Sequence, residues 1–358
     1  MSKNILYKQR SSFSYKIVLL LFSFVIFVFA PFKASASEMN FTVGTNLPSN
    51  QIDKNKSFFD LKMKPGQKQT ITVSLTNNTS KSITVNIGAN SAKTNLNGVI
   101  EYGKTSIKND KTLKYPLNEL IKYPKSVVIP AKESKTVSFS ITMPKKTYRG
   151  IILGGLTFQQ KASESNKEST SKKGTTIQNR FVYAIAVILK ESDDKLTPNL
   201  NLLSVSPGQV NGRNEISARI QNDQSLLMSS GKITAKIYKK GSNKVIYSST
   251  SKNLQIAPNS NFKYPVYLKD SKMQSGNYVL KLKVTATAYN NSKTWNFSKN
   301  FSIKAKKAAS LNKSDVNIKK SSNYSWIIPA VIASLILVII LLTIIIFKIK
   351  GNVKKNSN

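Results

Sequence analysis

The chain has 358 residues, with 55 Lys and Arg against 16 Asp and Glu, and a formal net charge of +39. It contains neither cysteine nor histidine. The first absence leaves folding to hydrophobic burial alone. The second removes the commonest general base and metal ligand, and with them Ser-His-Asp and Cys-His chemistry.

Residues 17–29 form an apolar run broken only by Ser23, preceded by Lys3, Lys8, Arg10 and Lys16 and followed by Ala34-Ser35-Ala36. A basic start, a short apolar run and small residues predict a cleavable signal peptide over 1–36. The run is too short for a comfortable membrane span.

From there the chain reads as strands. Phe59, Leu61 and Met63 alternate, Pro65-Gly66 turns the chain, and Ile71, Val73 and Leu75 alternate again. Ile83, Val85 and Ile87 follow, then Val137, Phe139, Ile141 and Met143. A period of two punctuated by Gly, Pro and Asn signals half-buried antiparallel strands. Residues 150–158 and 177–190 are denser apolar runs, the pattern of central strands buried on both faces. Between them, 161–176 is Ser-, Lys- and Glu-rich. It reads as a long hairpin loop, with an interdomain linker as the alternative. The only helical signal is a turn near 117–121. These features predict a first β-sandwich over 37–190.

A second sandwich is predicted over 191–305. Ile216, Ala218 and Ile220 alternate, as do Ile233, Ala235 and Ile237, then Phe262, Tyr264, Val266 and Leu268. Tyr278, Leu280, Leu282, Val284, Ala286 and Ala288 make a long strand, followed by Trp295, Phe297, Phe301 and Ile303. About seven strands with regular turn signals argue an immunoglobulin-like sandwich. A basic tether spans 306–323. Residues 326–347 then run without a charge, roughly 33 Å as a helix, long enough to cross a bilayer. With Tyr324 and Trp326 at its start, the span is read as 324–347. Lys348, Lys350, Lys354 and Lys355 place the tail 348–358 in the cytoplasm. The fold class expected is thus an all-β ectodomain of two tandem immunoglobulin-like β-sandwich domains plus one C-terminal transmembrane helix, a single-pass cell-membrane protein facing the wall.

All 16 acidic residues lie between the two apolar segments; setting them and the nine basic residues of leader and tail against the 55 leaves +30 on the ectodomain. Such an excess fits polyanionic surroundings, and export turns the reading from nucleic acid to anionic wall polymers. Asp53, Asp60, Glu101, Asp110, Glu119 and Glu133 are scattered, with no motif for the carboxylate pair that glycoside hydrolysis needs. They read as surface carboxylates, and Asp193-Asp194 as a solvated turn. No catalytic, cofactor or metal residue is assigned. The candidate ligand-binding residues are Asn95, Asn97, Tyr102, Tyr115, Tyr123 and Tyr148. The tyrosines fall near strand ends, where a ring with a polar tip can stack on a sugar or fill an interface pocket. A tight Asn-Gly hairpin and sandwich-edge packing are the competing readings of the same residues.

Phe41-Thr42-Val43, Phe58-Phe59-Asp60-Leu61, Pro65-Gly66-Gln67, Thr76-Asn77 and Thr94-Asn95-Leu96-Asn97-Gly98 occur in order. They are followed by 127–134, Met143-Pro144, Gly150 and Gly154-Gly155. Phe181-Val182-Tyr183-Ala184-Ile185, Gln221-Asn222, Ala257-Pro258-Asn259-Ser260, Ser275-Gly276-Asn277-Tyr278 and Trp295-Asn296-Phe297 continue the series. In this order they resemble the WxL-interacting protein family of Gram-positive bacteria. The resemblance implies a peptidoglycan-binding first domain, a host-binding second domain and WxL proteins as partners, and it puts the domain boundary near 160–176. It supplies no catalytic motif. The function expected is a non-enzymatic surface protein that docks WxL proteins, peptidoglycan or anionic wall polymers, and host matrix proteins. A carboxylate wall hydrolase and a passive stalk are the alternatives.

Overall fold

In a computed structural model, residues 40–161, 181–269, 271–318, 329–337, 340 and 344 are described. The leader, most of the 161–176 stretch and much of the C-terminal apolar segment lie outside them. Among the described residues no helix is long and apolar enough to cross a membrane.

Strands up to residue 190 are β1 (Phe41–Asn46), β2 (Phe59–Lys62), β3 (Lys68–Asn77), β4 (Ile83–Ser91), β5 (Lys93–Thr94), β6 (Ile100–Glu101), β7 (Ile121–Lys122), β8 (Ser126–Ile129), β9 (Ser134–Thr142), β10 (Ile151–Gln160) and β11 (Val182–Lys190), with a one-turn helix α1 (Leu117–Leu120) before β7. They build two sheets, β1-β3-β9-β7 and β2-β11-β10-β4-β8, and a small β5-β6 ribbon. The inward residues of β3, β4 and β9 are the alternating ones: Ile71, Val73, Leu75, Ile83, Val85, Ile87, Val137, Phe139 and Ile141 are all buried. Tyr123 stacks on Phe139, which meets Phe158 edge-on.

β10 is covered on both faces, as its dense apolar run implies. A Cβ on Gly154 would lie 2.4 Å from the carbonyl oxygen of Asn90 and one on Gly155 2.5 Å from Cβ of Tyr102. β11 differs from the expectation: Ile185, Val187 and Leu189 are buried, while Ala186 and Ile188 between them are half-buried and Val182 and Ala184 are exposed. It pairs antiparallel with β10 and parallel with β2, so the chain completes the first sandwich at Lys190 before leaving it.

The second sandwich comprises β12 (Leu200–Val210), β13 (Arg213–Asn222), β14 (Met228–Lys239), β15 (Val245–Ile256), β16 (Ser260–Tyr267), β17 (Gly276–Ala288) and β18 (Asn291–Ile303). Its sheets run β12-β13-β16 and β15-β14-β17-β18, the three-on-four arrangement of an immunoglobulin-like sandwich. The residues that alternate in β13, β14, β16 and β17 fill one core. Part of the basic tether is structured: Ala305–Ser314 forms helix α2, which buries Ala308 and Leu311 against that core. Gln209 Nε2 donates to the Leu311 carbonyl at 2.8 Å, and Asp315 accepts from the Asn214 backbone at 2.7 Å.

Each sandwich ends an inner strand on a buried asparagine that feeds its side-chain amide to the adjacent loop. Asn77 donates to the carbonyls of Lys81, Ile129 and Pro130. Asn222 donates to those of Leu226 and Ala257 and accepts from the Gln224 backbone. Asn222→Ala strands the buried Leu226 carbonyl and leaves that of Ala257 to Ser260 Oγ alone, so the second sandwich is expected to lose about 1–2 kcal/mol in urea unfolding. A change below about 0.5 kcal/mol would mean that the loop finds other donors.

Candidate functional site at the domain junction

The segment from Ala92 to Leu117 leaves the first sandwich, makes the β5-β6 ribbon and leans on the near end of β13 and β16. Ala92, Ile100 and Leu153 meet Ala257 across the boundary, with Tyr102, Ile151, Ile188 and Leu227 packed around them. Backbone bonds cross it as well: Gln255 N to the Gly98 carbonyl and Ile151 N to the Ser225 carbonyl, both 2.7 Å. The Ala257 backbone donates to Thr94 Oγ1 at 2.8 Å.

Asp110 is the polar centre of this contact. It is 6 % exposed. Its carboxylate accepts from Gln221 Nε2 at 2.9 and 3.0 Å and from Asn261 Nδ2 at 2.6 Å, both on the second sandwich. Burial pushes its pKa up, but hydrogen bonds from Thr112, Asn261 and Gln221 outweigh it and hold the carboxyl below the ordinary value. The junction therefore keeps this contribution at neutral pH and loses it as the pH falls below the ordinary aspartate range. The following linker begins with exposed ion pairs. Asp193 takes Lys62 at 2.6 Å and Lys190 at 2.9 Å, and these bonds lower its pKa to about 2.

Beside the junction opens a cleft of about 760 Å³. One wall is Thr94, Asn95, Asn97, Glu101 and residues 105–109 of the first domain, and the other is Arg219, Asn261, Phe262 and Lys263 of the second. Carboxamides and cations on its two walls suit an acidic, hydroxyl-rich or amide-rich ligand.

Of the six residues singled out in the sequence, two line this cleft. Asn95 shapes the turn, donating to Glu101 and accepting from the backbones of Asn97 and Val99; Asn97 is exposed at its tip. Tyr102 packs over Gly155, and burial pushes its phenol up. Tyr148 meets Tyr115 edge-on at 5.3 Å, and its hydroxyl lies 2.6 Å from Ser225 Oγ and 3.1 Å from Asn259 Oδ1. Burial raises its pKa too. Tyr123 accepts from the Ala89 backbone inside the first sandwich, with the Lys125 amine 4.2 Å from its ring centre. The structure brings Asn95 and Asn97 together and spreads the four tyrosines between junction and core. Sequence reading missed Asp110, Arg219, Asn261 and Lys263 as junction and cleft residues. The only local signal was the pairing of polar residues with alternating apolar ones on β13 and β16, which marks an outward face without saying what it meets.

The chain matches the model of the WxL Interacting Protein peptidoglycan binding domain over 41–160 and that of the WxL Interacting Protein host binding domain over 172–313. The second match begins before β11, a strand that pairs into the first sandwich. No curated protein matches significantly. Similar solved structures include a chaperone–tip adhesin complex of CFA/I fimbriae biogenesis, 13 % identical over 73 % of this chain and 98 % of that one, with a TM-score of 0.30. The CsuC–CsuE chaperone–tip adhesion subunit complex of Acinetobacter baumannii is 11 % identical over 66 % and 93 %, with a TM-score of 0.30. The SafA pilin–SafB chaperone complex of Salmonella enterica is 10 % identical over 75 % and 99 %, with a TM-score of 0.28. At these scores the overlap is loose and implies nothing about function. Two family models matched in order across the two sandwiches settle the relationship: the chain belongs to the WxL-interacting protein family, with a peptidoglycan-binding domain followed by a host-binding domain.

Proposed function

We propose that the protein is a non-enzymatic binding protein of the cell surface, exported by its leader, held in the membrane by residues 324–347, and docking WxL proteins, wall material and host ligands without chemical turnover. The observation that carries this reading is the junction cleft, where carboxamides of the first domain face Arg219 and Lys263 of the second. An acidic wall ligand is gripped there by both domains, with Asn95 and Asn97 as its hydrogen-bonding partners and the cations as its charge partners. WxL proteins dock elsewhere, along outer strands such as β1 and β18, by strand addition.

A chain ended at Lys320 tests both parts. It is expected in the medium once the wall is digested, and retention in the membrane fraction would defeat the anchor. The released protein is expected to bind isolated peptidoglycan, and Asn97→Ala combined with Arg219→Ala to weaken it about tenfold, the loss of one to two net hydrogen bonds. Raising salt should weaken binding to wall carrying anionic polymers, since exposed charges are screened within about 8 Å. Unchanged affinity in the double variant would remove the cleft from the binding site.

A further inference from the structure

We propose that Lys93 and Asn109 join through an intramolecular amide bond between Nζ and Cγ, closing the cleft-lining segment into a covalent ring. Lys93 sits on β5 and is 5 % exposed. A buried ammonium needs a counter-charge, yet among the described residues no carboxylate forms an ion pair with it. Its amine instead meets the carboxamide oxygen of Asn109, which puts the carboxamide carbon one bond further on. Burial lowers the amine's pKa against the opposing pull of the Asp110 charge, which enlarges the neutral, nucleophilic fraction.

The residue after Asn109 is Asp110, buried and oriented by Gln221 and Asn261. The balance of atoms is simple. The Nζ lone pair attacks Cγ of Asn109, the attacking nitrogen gives a proton to cleft water, and Nδ2 takes one from it as the Cγ–Nδ2 bond breaks, while the nearby Asp110 charge steadies the transient positive charge on that nitrogen. Ammonia departs through the cleft, which Asn109 lines as an exposed residue. No oxidant, metal or cofactor enters. Proximity supplies most of what the reaction needs, because amine and amide are held together for the life of the fold. Gln221 and Asn261 of the second sandwich hold Asp110 together with its neighbour Thr112, so docking of the domains completes the setting and the bond then preserves the lip of the cleft.

Mass spectrometry of the full-length protein digested with trypsin after denaturation tests this. Trypsin cuts after Lys81, Lys93, Lys104, Lys108 and Lys111. The cross-link predicts, in most molecules, a branched product in which residues 82–104, uncut at Lys93, carry residues 109–111, lighter than the sum by one ammonia. Lys93→Arg and Asn109→Ala should each abolish it; the second changes an exposed side chain, so the fold survives. Recovery of separate peptides ending at Lys93 and starting at Asn109 would overturn the proposal. So would ammonia loss from Asn109 that persists in Lys93→Arg, which would place the loss in the asparagine's own backbone.

Discussion

A chain carrying Gly98→Val is expected to fold both sandwiches and fail to dock them. Gly98 has φ +72°, a conformation that costs a β-branched residue about 1–3 kcal/mol. The added Cβ would lie 2.1 Å from Cδ2 and 2.7 Å from Cβ of Leu254, a buried residue on β15 of the other domain. Overpacking adds about 1–3 kcal/mol, and the total of about 4 falls first on the junction, because separating the domains relieves the clash and leaves Leu254 in its own core. Gln255 loses its backbone partner at the same time. Small-angle scattering should give a larger radius of gyration, and trypsin should cut at Lys195 in the linker many times faster. Unchanged scattering and protection would mean that Leu254 yields and the junction is softer than its contacts imply.

Glu215→Gln is expected to stabilise the second sandwich at alkaline pH and to do little in acid. Glu215 is 3 % exposed and its Oε2 is buried without a partner. Burial pushes its pKa up to about 7, against the Lys263 charge and a bond from Ser217. The folded carboxyl thus holds its proton where the unfolded one, near 4.5, has released it. The contribution of Glu215 to stability is fully present below about pH 4.5 and is lost as the pH rises through 7, by up to about 3 kcal/mol. Glutamine keeps the shape of the protonated acid, so the variant's urea midpoint should stay level across that window while the parent's falls. Parallel curves for the two proteins would show that Glu215 ionises freely.

The strand cores were legible because burial on one face writes a period of two into the residues themselves. Ile71, Val73 and Leu75, or Tyr278 through Ala288, need no partner to be recognised. β11 was legible as a strand but not as a one-faced one. Ile188 looks like core in the sequence, yet it packs on the junction cluster. Helix α2 was hidden because its apolar stripe is Ala308 and Leu311 alone, too brief to stand out among lysines. The candidate site was the least legible part. Asp110 has the sequence surroundings of a surface carboxylate, and its partners lie 111 and 151 residues away. The tyrosines were visible as amphipathic rings, but whether a hydroxyl faces water or Ser225 depends on how two domains meet, which no local pattern encodes.

The docking of α2 also sets a geometry of presentation. After the helix, the Val316 backbone bonds to the Gly212 carbonyl, so the chain departs beside the hairpin that joins β12 to β13. The first domain meets the opposite end of β13, at Gln221. Those ends are separated by the length of a ten-residue strand, about 30 Å at 3.3 Å per residue. Whatever grips the residues after 318 therefore holds the peptidoglycan-binding domain at a fixed stand-off, with the host-binding domain as the rigid spacer beneath it.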